Sequence, residues 1–136
     1  MKKKAVLEFA DVQTILSAAN ASATAHDWAV SIAVVDDGGH LLGLHRLDNA
    51  APISAYIATE KARSSALGRR DSGSYEKMIN DGRTAFLSAP VLQGLLEGGM
   101  PILIDGQVAG AIGVSGVKST EDLQVAKAGI EALGQS

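Results

Sequence analysis

A chain of 136 residues, 46% hydrophobic and 20% charged, with formal net charge −3, has the make-up of one soluble globular domain over 1–136, long enough for one core and too short for two. Aromatics at 4%, basic clusters confined to Lys2-Lys3-Lys4 and Arg69-Arg70, and no apolar run near the roughly 18 residues of a membrane span argue against nucleic acid and membrane as partners. The absence of cysteine excludes disulfides, thiolate metal sites and c-type haem attachment, and the opening MKKKAVLEF is too soon interrupted by Glu8 and Asp11 to serve as a secretory signal, so a cytoplasmic protein is expected.

Phe9, Val12, Ile15, Leu16, Ala19 and Ala23 recur at helical spacing and predict a first helix ending near His26-Asp27. Two strands follow, VSIAVVD (30–36) and HLLGLHR (40–46), joined at Asp37-Gly38-Gly39. The first has little polarity on either face and is expected at the centre of the sheet, covered on both sides.

Pro52 opens a helix over 53–68, where Ala55, Ala58, Ala62 and Ala66 form a small-residue stripe suited to close docking on a sheet. Lys61 is expected at the edge of that face, either covering apolar surface with its stem or presenting its cation to a ligand's carboxylate. From Arg69 to Gly99 periodicity is poor, with a short helix expected near Tyr75–Ile79 and a short strand near 91–95. A stretch of this kind reads as a functional or covering segment.

The chain is organised around PILIDGQVAGAIGVSG (101–116), two strands joined at Asp105-Gly106, where glycine supplies the positive φ of a tight hairpin. Along the second strand Ala109, Ala111, Gly113 and Ser115 share a face almost bare of side chains, which either admits a helix backbone unusually close or leaves room for a ligand. Gly98-Gly99 before the hairpin is either a tight turn or exposed backbone N–H groups facing an anionic or carbonyl ligand. A closing helix follows, with Ser119 and Asp122 as a capping box and Leu123, Ala126, Ile130 and Leu133 as its stripe. Adjacent hairpins flanked by amphipathic helices predict a three-layer α/β/α arrangement on an antiparallel sheet.

No catalytic or cofactor motif is complete, so enzymatic activity stays undecided and no metal site is expected. The histidines are His26, His40 and His45; the odd spacing of the last two puts them on opposite strand faces, so they form no joint site within a subunit. A ligand is expected beside the bare strand face, contacted by Gly98, Gly99, Gly113, Ser115 and Gly116, with Lys61 supplying charge. Were that ligand an iron-bearing group, His45 is the expected donor, ahead of His40 at a turn and His26 at a helix end.

VVDDGGHLLGLHRLDNA (34–50), ATEKARSSAL (58–67), GGMPILIDGQVAGAIGVSG (98–116) and EDLQVAKAG (121–129) together resemble the GlcG/HbpS-like family of haem-binding or haem-degrading domains. The resemblance implies a profilin-like fold with a five-stranded antiparallel sheet in the order 2-1-5-4-3 between helical layers, assembled into homo-oligomers. It implies a small-molecule-binding accessory protein, with haem or another tetrapyrrole the leading ligand. An enzyme acting on haem or a small organic acid, and an oligomeric scaffold with no ligand of its own, stand beside that reading.

Overall fold

The structure, a computed structural model, describes residues 1–134; the last two positions of the expected 1–136 domain lie outside the described residues. Its central strand is β1 (Ser31–Asp36), which pairs antiparallel with β2 (Leu41–Arg46) on one side and with β4 (Gln107–Ser115) on the other. The edge strand β3 (Gly99–Ile104) completes a four-stranded antiparallel sheet of order β2-β1-β4-β3.

The alternation of β1 divides the core. Ile32 and Val34 join Val12, Ile15, Leu16, Ile112, Val114 and Val125 beneath α1 (Phe9–Ala25) and α4 (Ser119–Glu131). Ala33 and Val35 face the opposite layer, where α2 (Ile53–Gly68) presents Ala58, Ala62 and Ala66. The bare strand face is filled by that helix: a Cβ on Gly113 would stand 2.1 Å from the Ala58 carbonyl oxygen, and one on Gly99 would stand 2.4 Å from that of Lys61. Close packing, rather than a ligand, therefore occupies the space over these glycines.

The expected fifth strand is absent among the described residues. Val91 and Gly94 adopt positive φ of 70° and 60°, and tight turns close from Leu92 N–H to the Pro90 carbonyl and from Leu96 N–H to the Gly94 carbonyl. A chain that turns twice within five residues offers no ladder to a neighbouring strand. With that strand removed, the expected order 2-1-5-4-3 reduces to the one observed.

The poorly periodic region holds a longer helix than its sequence suggests, α3 (Ser72–Asn80), followed by a 3₁₀ segment at Thr84–Ser88. Buried Tyr75 stacks on Phe86 with ring centroids 5.1 Å apart and carries the Arg70 guanidinium 4.2 Å above its ring. Ser72 Oγ accepts from the Gly99 N–H at 2.8 Å and donates to the Leu96 carbonyl, which ties α3 to the entrance of β3. The Asp105-Gly106 turn has φ of 52° and 75°, the paired positive values of a type I′ hairpin. Among the described residues no helix is long and apolar enough to cross a membrane.

Candidate functional site

At the end of β4 the two helical layers meet through a buried ion pair. Lys61 Nζ, reaching inward from α2, donates to Asp122 Oδ2 at 3.1 Å and to the Val114 carbonyl at 2.8 Å. Asp122 Oδ1 accepts the Val117 N–H at 3.2 Å. Both side chains are 3% exposed. Burial pushes the Asp122 carboxyl above its usual range, against the pull of the Lys61 ammonium. Lys61 thus faces a carboxylate, but one supplied by this chain. The expected capping box shifts accordingly. Lys118 N–H is met by Glu121 Oε1 at 3.3 Å, one position earlier than the sequence suggests, and Asp122 is freed to turn inward.

Lys61 is a member of this pair, and of the other six expected site residues Gly98, Gly99 and Gly113 pack on α2 beside it. Gly98 lies against it, since a Cβ there would stand 2.7 Å from Lys61 Nζ; Gly99 and Gly113 press on the α2 backbone; Ser115 ends the same strand face, buried. Gly116, with φ of 144°, sits instead where the chain enters β1, and a Cβ there would stand 2.5 Å from the Ala29 carbonyl oxygen. His45 is on the far side of the sheet. It pairs with Ile32, a residue of the α1/α4 core, and cross-strand partners share a face, so its half-buried imidazole is separated from Lys61 by the sheet itself. His40 Nδ1 lies 3.1 Å from Asp36 Oδ1, and His26 stacks on Trp28 with its Nδ1 2.9 Å from the Ser22 carbonyl oxygen.

Open space lies elsewhere. A groove of about 610 Å³ beside α3 is rimmed by Asp71, Glu76, Asp81 and Glu97 with Lys77. Burial pushes the Asp71 carboxyl up, while Lys77 is already paired with Asp81 at 2.7 Å. A polar groove of about 640 Å³ at the end of α1 carries Asp27 and Asp48 beside Trp28. A third, about 460 Å³, runs between β2 and α2 and is lined by Leu44, Pro52, Ala55, Tyr56, Thr59 and the cationic Arg46. Glu60 also borders it, and its carboxylate is held by Arg63 at 3.3 Å. A fourth, about 470 Å³, is lined by Ile79, Leu87, Leu92, Leu95 and Leu96 and carries Glu76 with no cation. Of these rims the third offers a cation, Arg46, that makes no ion pair among the described residues, so it suits an anionic ligand best.

The residues also bear on what iron chemistry is open to the chain. Among the described residues no group of three or more His, Cys, Asp or Glu side chains could hold a bare metal ion. An iron already bound in a macrocycle needs only one or two axial donors. The half-buried His45 imidazole and the Tyr56 phenol, 76% exposed, are such donors, and Arg46 is an exposed cation for a carboxylate. Tyr56 and Arg46 were not singled out by sequence reasoning. The available signal was a lone large aromatic within an alanine-rich helix, four residues after its opening proline.

Residues 7–131 match the family described as haem degrading protein HbpS-like. The chain is 55% identical over 115 residues to protein GlcG of Escherichia coli strain K12, covering 85% of each chain. It is 26% identical to an uncharacterised 15.0 kDa protein from the dhaT-dhaS intergenic region of Citrobacter freundii, over 96% of this chain and 94% of that one. Among solved structures, a double mutant of Streptomyces reticuli HbpS superposes with a TM-score of 0.88 at 29% identity, covering 99% of this chain and 92% of the other. PduOC in complex with haem superposes at 0.84 over 97% of this chain and 98% of the other; at 23% identity that likeness is one of fold.

Proposed function

Because the chain belongs to the HbpS-like family of haem degrading proteins, we propose that it is a small-molecule-binding accessory protein whose ligand is haem or a related tetrapyrrole. The observation that carries this reading is the family match across nearly the whole chain, and a neighbour of the same fold that holds haem supports it. The donor set fits the group. His45 and Tyr56 stand on β2 and α2 as possible axial donors of nitrogen and oxygen, and the chain has no cysteine to supply thiolate. When bound, haem supplies a redox-active iron and an absorption spectrum that reports the axial ligand. The protein's part is to bind and orient the macrocycle and to limit the access of water to it.

The same reading includes assembly into a homo-oligomer. Support comes from large apolar side chains at the surface of a 14.0 kDa chain, among them Ile53 at 62%, Leu87 at 66% and Val91 at 67% exposed. Light scattering is expected to return a multiple of the chain mass.

The test is an absorption titration of the purified protein with haemin, with cobalamin in parallel. A saturable shift of the Soret band is the expected result. If neither compound gives a saturable change, the tetrapyrrole reading fails and the scaffold reading takes its place.

A further inference from the structure

The geometry points to the groove between β2 and α2 as the seat of the tetrapyrrole, with the Tyr56 oxygen on iron and the Arg46 guanidinium on a propionate. This assignment rests on the proposed function and adds to it a place and two residue roles.

The groove follows from the periods of its two walls. Pro52, Ala55, Tyr56 and Thr59 fall at i, i+3, i+4 and i+7 and so form one helical face. Leu44 and Arg46 fall at i and i+2 on β2, and they pair with Ala33 and Ser31, both of which face α2. Because β2 is an edge strand, no further element continues the sheet past Leu44 and Arg46. The space between helix and strand stays open at about 460 Å³, within the roughly 300–1,000 Å³ of small-molecule sites.

Its chemistry matches one class of ligand. The exposed lining is more apolar than polar, as a planar macrocycle requires, with Leu44, Pro52 and Ala55 beside the polar Arg46, Tyr56, Thr59 and Glu60. The charge of the lining decides among the grooves. Haem carries two propionates, which meet four carboxylates beside α3 and two beside Trp28, meet Glu76 and no cation in the groove of about 470 Å³ lined by Leu87, Leu92 and Leu95, but here meet Arg46, while Glu60 is already paired to Arg63. Tyr56 is 76% exposed and lines the same groove, so its oxygen can reach an iron seated there without disturbing the core. On ligation to ferric haemin the Tyr56 phenol would give up its proton to solvent, and its phenolate oxygen would displace the water or hydroxide that the iron carries in solution. The metal keeps its oxidation state.

Haemin titrations of the full chain and its variants test the assignment. Tyr56→Phe is expected to weaken haemin binding tenfold or more and to remove the phenolate-to-iron charge-transfer band. Tyr56→His is expected to keep binding and to convert the spectrum to that of an imidazole-ligated haem. Arg46→Glu is expected to weaken binding at least tenfold while leaving the axial-ligand bands in place. His45→Ala, on the other side of the sheet, is expected to retain the parent spectrum and affinity. If His45→Ala instead removes the parent's axial-ligand bands, the iron is held on the other face of the sheet and the assignment is overturned. Thermal melts serve as the folding control, and both exposed side chains should be replaceable with little change. If haemin binds the parent and Tyr56→Phe with one spectrum and one affinity, the assignment is overturned while the tetrapyrrole reading stands. If the parent gives no saturable change, both fall.

Discussion

Lys61 Nζ stands 3.1 Å from Asp122 Oδ2, across 61 residues of sequence, and both side chains are 3% exposed. An ion pair this deeply buried has given up the hydration of two charges, and its members are held by each other and by the Val114 carbonyl and Val117 N–H. It ties α2 to the start of α4, so its first role is to join the two helical layers.

Removing one member strands the other in a low-dielectric site. Lys61→Met or Asp122→Leu alone is expected to destabilise the fold by about 3–5 kcal/mol. The double replacement Lys61→Met with Asp122→Leu should recover most of that loss, since no unpaired charge remains. Urea unfolding of the parent, both single variants and the double variant forms the cycle that checks this; equal and additive losses would contradict it.

The glycines of β3 and β4 make a second case. Gly113→Ala is expected to cost about 1–3 kcal/mol or more, because its new methyl would meet the Ala58 carbonyl oxygen at 2.1 Å and a helix backbone cannot step aside. Gly38→Ala is the control: a Cβ there meets mainly the movable His40 ring, at 3.0 Å, and should be tolerated far better. Paired melting curves decide the matter.

Ser65 is fully buried, and its Oγ has no hydrogen-bond partner. A desolvated hydroxyl left unpaired is unfavourable, and alanine is the better helix former. Ser65→Ala is therefore expected to leave stability unchanged or raise it by about 1 kcal/mol. Ser72→Ala should do the reverse, lowering stability by about 1–3 kcal/mol, because the buried Gly99 N–H loses its acceptor. Chemical denaturation of the two variants side by side separates these signs.

Acid acts on a surface cluster. The hydrogen bond from Lys4 holds the Asp37 carboxyl below its usual range, and Arg69, with Nη2 3.6 Å from Asp37 Oδ2, adds to it. A depressed folded-state value means that the folded chain binds fewer protons than the unfolded one. The contribution is thus present above the unfolded carboxyl value of about 3.9 and is lost as pH falls through the folded one. Both partners are partly exposed, so the whole effect should stay below about 1 kcal/mol and shrink with salt. The stability gap between the parent and Asp37→Asn should narrow below about pH 4; a gap that widens there would be inconsistent with this pairing.

Most of the framework was legible from local signals. Helical spacing marked α1, α2 and α4, and Asp105-Gly106 marked the hairpin with its positive φ values. The two-sided hydrophobicity of Val30–Asp36 marked the central strand. These depend on neighbours within a turn of helix or a pair of residues, which is the range over which period and turn chemistry act. The fifth strand was misread because a short stretch such as Val91–Leu95, with three apolar residues around Gln93-Gly94, looks alike whether it extends or turns, and the left-handed backbone at Val91 carries no sequence signature.

The candidate sites show the same boundary. Small residues at Gly99, Gly113 and Ala58 were visible in the sequence as a capacity for close approach, but only the tertiary structure decided that α2 itself fills the space. The lysine of α2 was visible as a cation near an apolar face, and the aspartate of α4 as part of a cap. Their pairing, like the meeting of Tyr56 with Arg46 across one groove, was settled when the sheet order β2-β1-β4-β3 brought distant segments together. Composition and period determine which faces a segment must bury; which charge ends beside which depends on packing between elements remote in the chain, and no local pattern encodes it.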